Sequence, residues 1–186
     1  FGRNREGTSE LLQALGAELG FVAHRVDPVT DGSEPISSTR ARRALADGDL
    51  ALVKGLLGRD FDLDGLVVRG DQRGRTIGFP TANLATPVEA LPKDGVYAAR
   101  VRVMNDADPR AHDAVLNLGV RPTVRAGRSM EAHLLEFDRD LYGRTLRVTF
   151  AARLRDERRF DGLDALRAQI ARDVEGARAA LQGHTP

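Results

Sequence analysis

Between Gly70 and Leu84 the chain reads GDQRGRTIGFPTANL, a run whose residue types fit the handling of phosphate. Gly70, Gly74 and Gly78 let the backbone bend sharply and turn its N–H groups toward anionic oxygens. Arg73 and Arg75 add positive charge between them. Pro80 fixes its own φ and drives Phe79 to extended geometry, which stiffens the segment leading to Leu84. Thr81 and Asn83 are two residues apart, so in an extended segment their side chains share one side. A hydroxyl and an amide oxygen are weak, neutral, hard ligands, which suits Mg²⁺ that takes phosphate oxygens as its main anionic ligands. Neither a Walker A sequence nor a Rossmann glycine pattern is present. In an anonymous loop, a glycine-rich hairpin with a buried proline is the commoner meaning of such a composition.

Glu131 is the second candidate. It opens an otherwise apolar run and by alternation shares a face with His133, Leu135 and Phe137. A carboxylate there is either a solvated strand end or a base placed to accept a proton. Glu136 and Asp138 compete by composition, but Glu136 alternates to the opposite face. His133 reads as a histidine satisfied within the fold rather than as a partner orienting Glu131. The cluster Arg153, Arg155, Arg158 and Arg159 reads as a charged surface turn. The loop Arg121 to Ser129, with Pro122, Gly127 and three arginines, is expected to move over a bound nucleotide, a plain hairpin being the alternative.

The elements that must carry these residues change character near Phe61. Before it, Leu11, Leu12, Leu15 and Leu19 mark a helix, and Phe21 to Val26 reads as a short strand, with His24 packed in it. Ser37 or Ser38 caps a second helix that Gly48 ends, and Leu50, Val53 and Leu57 mark a third, stopped near Gly58. This α/β fragment has too few strands to close a sheet. After Phe61 the period becomes two: Leu66–Arg69, Val96–Val103, Asp113–Leu118, Glu131–Phe137 and Thr145–Leu154 read as strands. In the last, Leu146, Val148, Phe150, Ala152 and Leu154 share one face. Short strands separated by turns imply a small antiparallel barrel or sandwich. Leu163, Leu166, Ile170, Val174, Ala177 and Leu181 then step at helical spacing, giving a long amphipathic helix expected to cover an open side, with Gly183 to Pro186 a frayed tail.

Bulk properties narrow the function. The 186 residues carry a formal net charge of +1, with no global push toward nucleic acid or a membrane surface. There is no cysteine, which excludes disulfides and thiolate metal sites. No apolar run approaches the roughly 18 residues of a membrane span, and the first residues lack a signal peptide's apolar stretch, so a cytoplasmic enzyme is expected.

The run Gly78-Phe79-Pro80-Thr81-Ala82-Asn83 closely resembles the signature of the riboflavin kinase family. The segments Leu91 to Tyr97, Asn117 to Thr123, Ser129 to Phe137, Asp140 to Gly143 and Arg153 to Phe160 resemble that family's further motifs, in the same order, and the likeness runs from about Asp60 to Leu181. Phe1 to Thr8 and Ile36 to Arg42 resemble the closing motifs of an FMN adenylyltransferase module, which bacteria commonly fuse ahead of the kinase. The two-histidine signature of that module has no counterpart here. The expected organisation is therefore a remnant over residues 1–58 and a kinase domain over 59–186.

The resemblance implies a mainly β fold, a closed six-stranded antiparallel barrel of Greek-key type with a long C-terminal helix, preceded by the α/β fragment. It implies transfer of the γ-phosphate of Mg·ATP to the ribityl 5′-hydroxyl of riboflavin, giving FMN and ADP. Gly70, Arg73, Gly74, Arg75, Gly78, Phe79, Pro80, Thr81 and Asn83 would hold ATP, and Thr81 and Asn83 would bind Mg²⁺. Glu131 would be the catalytic base, and Arg155, Glu157 and Phe160 would contact the flavin. Two rivals exist: residual FMN adenylylation by the first residues, and a barrel that binds flavin, nucleotide or nucleic acid without catalysis. With two tyrosines and no tryptophan, stacking platforms for nucleic acid are scarce.

Overall fold

Cap chemistry sets the ends of the first helices. The side-chain oxygens of Thr8, Ser37 and Asp49 accept from the backbone N–H of Leu11, Arg40 and Leu52 at 3.2, 3.2 and 2.9 Å. Each helix then stops at a left-handed glycine, Gly20, Gly48 or Gly58. These helices are α1 (Ser9–Leu19), α2 (Ser38–Asp47) and α3 (Leu50–Leu57). The computed structural model describes residues 6–32, 34–70, 73–120 and 128–184.

The chain divides into two units, residues 1–36 and 37–186. The first holds α1 and a two-stranded pairing of β1 (Thr30–Asp31) with β2 (Glu34–Pro35). The run Phe21–Val26, expected as a strand, is irregular. A strand needs a partner for its backbone, and among the described residues none pairs with it; Val22 and Val26 are 78% and 89% exposed. The second unit holds α2, α3 and everything after them, so the expected boundary at 58/59 falls inside it, between α3 and the first barrel strand.

Six strands close the barrel: β3 (Asp62–Val68), β4 (Ala82–Ala85), β5 (Gly95–Val103), β6 (Ala111–Val120), β7 (Arg128–Leu134) and β8 (Thr145–Arg155), with a single helical turn α4 (Arg73–Thr76) between β3 and β4. Their order around the wall is β3-β4-β7-β6-β5-β8, every pair antiparallel, with β3 and β8 closing the circle. β5, β6 and β7 form consecutive hairpins and β8 returns beside β5, which is the Greek-key arrangement. The interior is filled by Tyr97, Leu116, Leu118, Leu146, Val148 and Phe150, with the Tyr97 and Phe150 rings edge to face at 5.4 Å. Buried Tyr97 keeps its hydroxyl satisfied by donating to the Lys93 carbonyl.

Two breaks in register on β8 alter the expected alternation. Ala99 faces Phe150 while Ala98 faces Ala152, and Tyr97 faces Arg153 while Val96 faces Arg155. Each break leaves one residue of β8, Ala151 and then Leu154, without an opposite number. Leu146, Val148 and Phe150 therefore point into the barrel, whereas Ala152 and Leu154 join the outer apolar cluster. Arg153 turns inward at the barrel end, 6.0 Å from the Tyr97 ring centre, and Arg155 turns outward.

The long helix α5 (Leu163–Gln182) lies on the outside of this closed wall, not over an open side, because the β3–β8 pairing leaves none. Its Ala177 and Leu181 pack on Val96, Ala98 and Val115. Arg100 Nη2 donates to the Leu181 carbonyl at 2.9 Å. The expected fraying begins late: His184 Nε2 lies 2.8 Å from the buried Asp60 carboxylate, and residues 185–186 fall outside the described residues. Among the described residues no helix is long and apolar enough to cross a membrane.

Candidate active site

One transverse row of the barrel organises the site. Asn83 on β4 faces Glu131 on β7, which faces Asn117 on β6, which faces Val96 on β5, which faces Arg155 on β8. Directly opposed residues in a sheet project to the same side. Core residues flank Asn83, Glu131 and Asn117 on both sides and Tyr97 follows Val96, so these four point outward, and Arg155, paired with Val96, points outward with them. The next outward row contributes His133 and Val115.

Glu131 sits in the middle of β7, not at its opening, because the strand begins at Arg128. It is half-buried and faces out of the barrel with His133. Its carboxylate accepts from the Thr81 hydroxyl and from the Ser129 hydroxyl, both at 3.4 Å. The expected alternation to Leu135 and Phe137 is lost because β7 ends at Leu134 and the chain turns there. Glu136 takes φ of 53° in that turn and pairs with Arg178 at 3.0 Å, on no strand face at all. His133 is not sequestered in the barrel. Its Nδ1 meets the Pro80 carbonyl at 2.8 Å, tying β7 to the segment that leads into β4.

A cavity of about 290 Å³ opens here between the outer wall and α5. Its apolar walls come from Ile77, Phe79, Val96, Val115, Leu166 and Ile170. The polar groups Thr81, Asn117, Glu131 and Glu157 project into it. Such a slot, mostly apolar with a few convergent polar groups, suits a flat small molecule. A second cavity of about 100 Å³ adjoins it, lined by Arg75, Pro80, Arg139 and Tyr142 among others. Thr81 lines both.

The residues singled out in the sequence distribute unevenly over this geometry. Gly74, Phe79, Thr81, Glu131, Arg155, Glu157 and Phe160 line the first cavity; Arg75, Pro80 and Thr81 line the second. Gly70, Gly78 and Asn83 line neither. Gly70 has a different use: a Cβ on it would overlap the Asn83 amide. Asn83 shares the outward side with Thr81, as the spacing implied, but is buried at 7% exposure. Asp71, Gln72 and the side chain of Arg73 lie outside the described residues, as do residues 121–127 of the loop expected to close over the nucleotide, and residues 1–5.

Thr81 and Asn83 supply a hydroxyl and an amide oxygen, with the Glu131 carboxylate beside the first and opposite the second. Among the described residues no three of His, Cys, Asp and Glu gather as a metal cluster. The donor set therefore fits a hard cation whose charge is met largely by a ligand's own oxygens, which is how Mg²⁺ binds with phosphates.

Several lining residues escaped sequence reading. Val96, Val115 and Asn117 belong to strands whose outward faces read as ordinary wall. Asp173 sits on an amphipathic helix, where polar residues ordinarily face water. Gly119 admits the site too: a Cβ there would overlap the Glu157 carboxylate. A glycine inside a strand, two residues from Asn117, is the signal that marks such a close approach.

The fold and the site define a closed barrel with a mostly apolar cavity on its outer wall, the Glu131 carboxylate in that cavity, and Thr81 where it meets a second cavity. The family model described as "Flavokinase: Riboflavin kinase" matches residues 57–181. The bifunctional riboflavin kinase/FMN adenylyltransferase of Escherichia coli (strain K12) is 46% identical over 179 residues, covering 96% of this chain and 56% of that protein. The protein of the same name from Bacillus subtilis (strain 168) is 37% identical over 183 residues, covering 95% and 56%. A crystal structure from Streptococcus pneumoniae, described as a macrolide-efflux protein, superposes with a TM-score of 0.80 at 35% identity, covering 96% of this chain and 57% of that one. The chain belongs to the riboflavin kinase family. It spans a little over half the length of the curated relatives it matches.

Proposed function

We propose that this chain transfers the γ-phosphate of ATP to the ribityl 5′-hydroxyl of riboflavin, releasing FMN and ADP. The observation that carries the reading is the Thr81–Glu131 contact at 3.4 Å where the apolar cavity meets the second cavity, with Thr81 lining both. Two substrates that must exchange a phosphoryl group need such a junction, with a proton acceptor at it.

The isoalloxazine ring occupies the slot between Val96, Val115, Leu166 and Ile170, with its ribityl chain directed to Glu131. Glu131 accepts the proton of the 5′-hydroxyl as that oxygen bonds to phosphorus and the bond to the β-phosphate oxygen breaks. Arg75 and Arg139 attract the polyphosphate in the cleft, and the turn Gly74–Gly78 with Phe79 and Pro80 holds the nucleotide. Thr81 and Asn83 would hold Mg²⁺, which neutralises charge on the phosphate oxygens when bound. His133, through the Pro80 carbonyl, keeps the segment carrying Thr81 in place against β7. We read the protein as a cytoplasmic enzyme without a nucleic-acid partner, and residues 1–58 as the closing part of an FMN adenylyltransferase module.

The test incubates the purified chain with riboflavin and Mg·ATP and separates the flavins by chromatography. FMN without FAD is the expected product, because the two-histidine adenylyltransferase signature has no counterpart in this sequence. No FMN would refute the kinase reading, and FAD formed from FMN and ATP would refute the second half.

A further inference from the structure

A carboxylate at 5% exposure within the cavity-facing side of α5 requires an explanation, since an unpaired buried charge is strongly unfavourable. That residue is Asp173, which lines the first cavity. Its two oxygens receive Arg155 Nε at 2.8 Å and Nη2 at 2.7 Å, a bidentate pair. Gln169, one helical turn earlier and also buried, donates Nε2 to Asp173 Oδ1 at 2.7 Å. The amide oxygen of Gln169 in turn accepts from Arg158 and from Arg172 Nη2, the latter at 2.8 Å.

Arg155 ends β8, and Arg158 lies within the irregular segment that follows it to Phe160. Their guanidinium centres lie 5.8 and 4.7 Å from the Phe160 ring centre, and all three residues line the cavity. So one turn of α5 holds both arginines, and the arginines hold the aromatic ring. The apolar attachment of α5 to the barrel lies further along the helix, on Ala177 and Leu181 against Val96, Ala98 and Val115. Buried ion pairs contribute little net stability but fix geometry when every partner is satisfied.

We propose that Asp173, together with Gln169, is the positioning residue of the flavin slot, setting Arg155, Arg158 and Phe160 as the wall against which riboflavin lies. The inference rests on the reading of the larger cavity as the riboflavin site. The polar pair acts on ring binding and not on phosphoryl transfer, because Asp173 reaches the reacting groups only through the arginines and the ring wall.

The experiment uses the full chain and compares wild type with Asp173→Asn, Asp173→Glu and Gln169→Leu. Riboflavin fluorescence quenching gives Kd, and steady-state rates give kcat and both KM values. Asp173→Asn keeps the shape but removes the charge that holds Arg155. Its riboflavin Kd and KM rise about tenfold or more, while kcat at saturating riboflavin and the KM for ATP stay within about twofold. Asp173→Glu, which keeps the charge, recovers part of that loss. Gln169→Leu leaves the ion pair intact and frees Arg158, so riboflavin KM rises about threefold with ATP KM unchanged; it carries the test if Asp173→Asn does not fold. Unchanged riboflavin affinity in these variants overturns the proposal, as does equal weakening of both substrates with a lowered Tm, the mark of a purely structural role. A wild type that neither binds riboflavin nor makes FMN removes the underlying reading, and the proposal with it. A wild type that does both, matched by Asp173→Asn, overturns the proposal alone.

Discussion

At the scale of single residues the site depends on two kinds of placement, a carboxylate held by hydroxyls and glycines that make room. Glu131 carries its carboxylate on the outer wall between the hydroxyls of Thr81 and Ser129. General-base assistance is typically a factor of about 10²–10⁴. Glu131→Gln should lower kcat by about that factor with riboflavin quenching unchanged, whereas Glu136→Gln, in an exposed turn, should cost little. A Glu131→Gln chain with normal kcat, or one that has lost only riboflavin binding, would contradict the assignment. Gly70 makes a separate prediction. Gly70→Ala pushes a methyl into the Asn83 amide, so the Mg²⁺ concentration for half-maximal rate should rise about 10–100-fold with riboflavin affinity intact. Titrating the rate with Mg²⁺ at saturating ATP distinguishes this from a general loss of folding.

At the scale of elements, α5 serves the core and the cavity at once. Its C-terminal half seals the outer apolar cluster through Ala177 and Leu181, at 0% and 1% exposure. Its N-terminal half supplies Leu166, Ile170 and Asp173 to the slot. Leu181→Ala should cost about 2–5 kcal/mol of stability, measured by denaturant unfolding. Below the midpoint, riboflavin KM should stay near wild type, because Leu181 does not line the slot and lies about two turns beyond Asp173 on the helix. A large change in KM without loss of stability would mean that α5 moves as one piece when its end is loosened. The register breaks on β8 act at this scale too: they turn Arg153 into the barrel end and set Arg155 opposite Val96, within reach of α5.

At the scale of the whole molecule, closing the barrel depends on the pairing of β3 with β8, and an ion pair spans it. Arg147 donates to both oxygens of Asp64 at 2.8 and 2.9 Å, across directly opposed positions. These bonds hold the Asp64 carboxyl below the usual carboxylate range, against a smaller opposing effect of burial. A carboxyl with a depressed folded pKa stabilises fully above its unfolded value of about 3.9, and that contribution is lost as pH falls through the folded value. Asp64 is 44% exposed, so screening keeps the contribution at or below about 1 kcal/mol. Asp64→Asn should lower Tm slightly at neutral pH and converge on wild type as pH drops below about 4. A difference that persists unchanged into acid would assign the effect to packing.

Much of this protein was legible in its sequence because local chemistry left few choices. Ser37 and Gly48 bound a helix by capping and by left-handed geometry. Alternation named four of the six barrel strands and part of a fifth, and the spacing of Leu166, Ile170, Val174, Ala177 and Leu181 named α5. The run from Gly70 to Asn83 and the carboxylate of Glu131 stood out by residue type. Other features are not local and were decided only on folding. The strand over Phe21–Val26 failed for want of a partner, and on β8 one unmatched residue, Ala151, reversed the face and a second, Leu154, restored it. Whether a side chain on a strand points into a barrel or away from it depends on the register of its neighbours. That register alone set Asn83, Glu131, Asn117, Val96 and Arg155 in one outward row. Likewise, Asp173 reads on a helix as one more solvated charge until the end of β8 brings Arg155 to it. Backbone and capping preferences act over a few residues and are written in the sequence, whereas the slot exists only where distant segments meet.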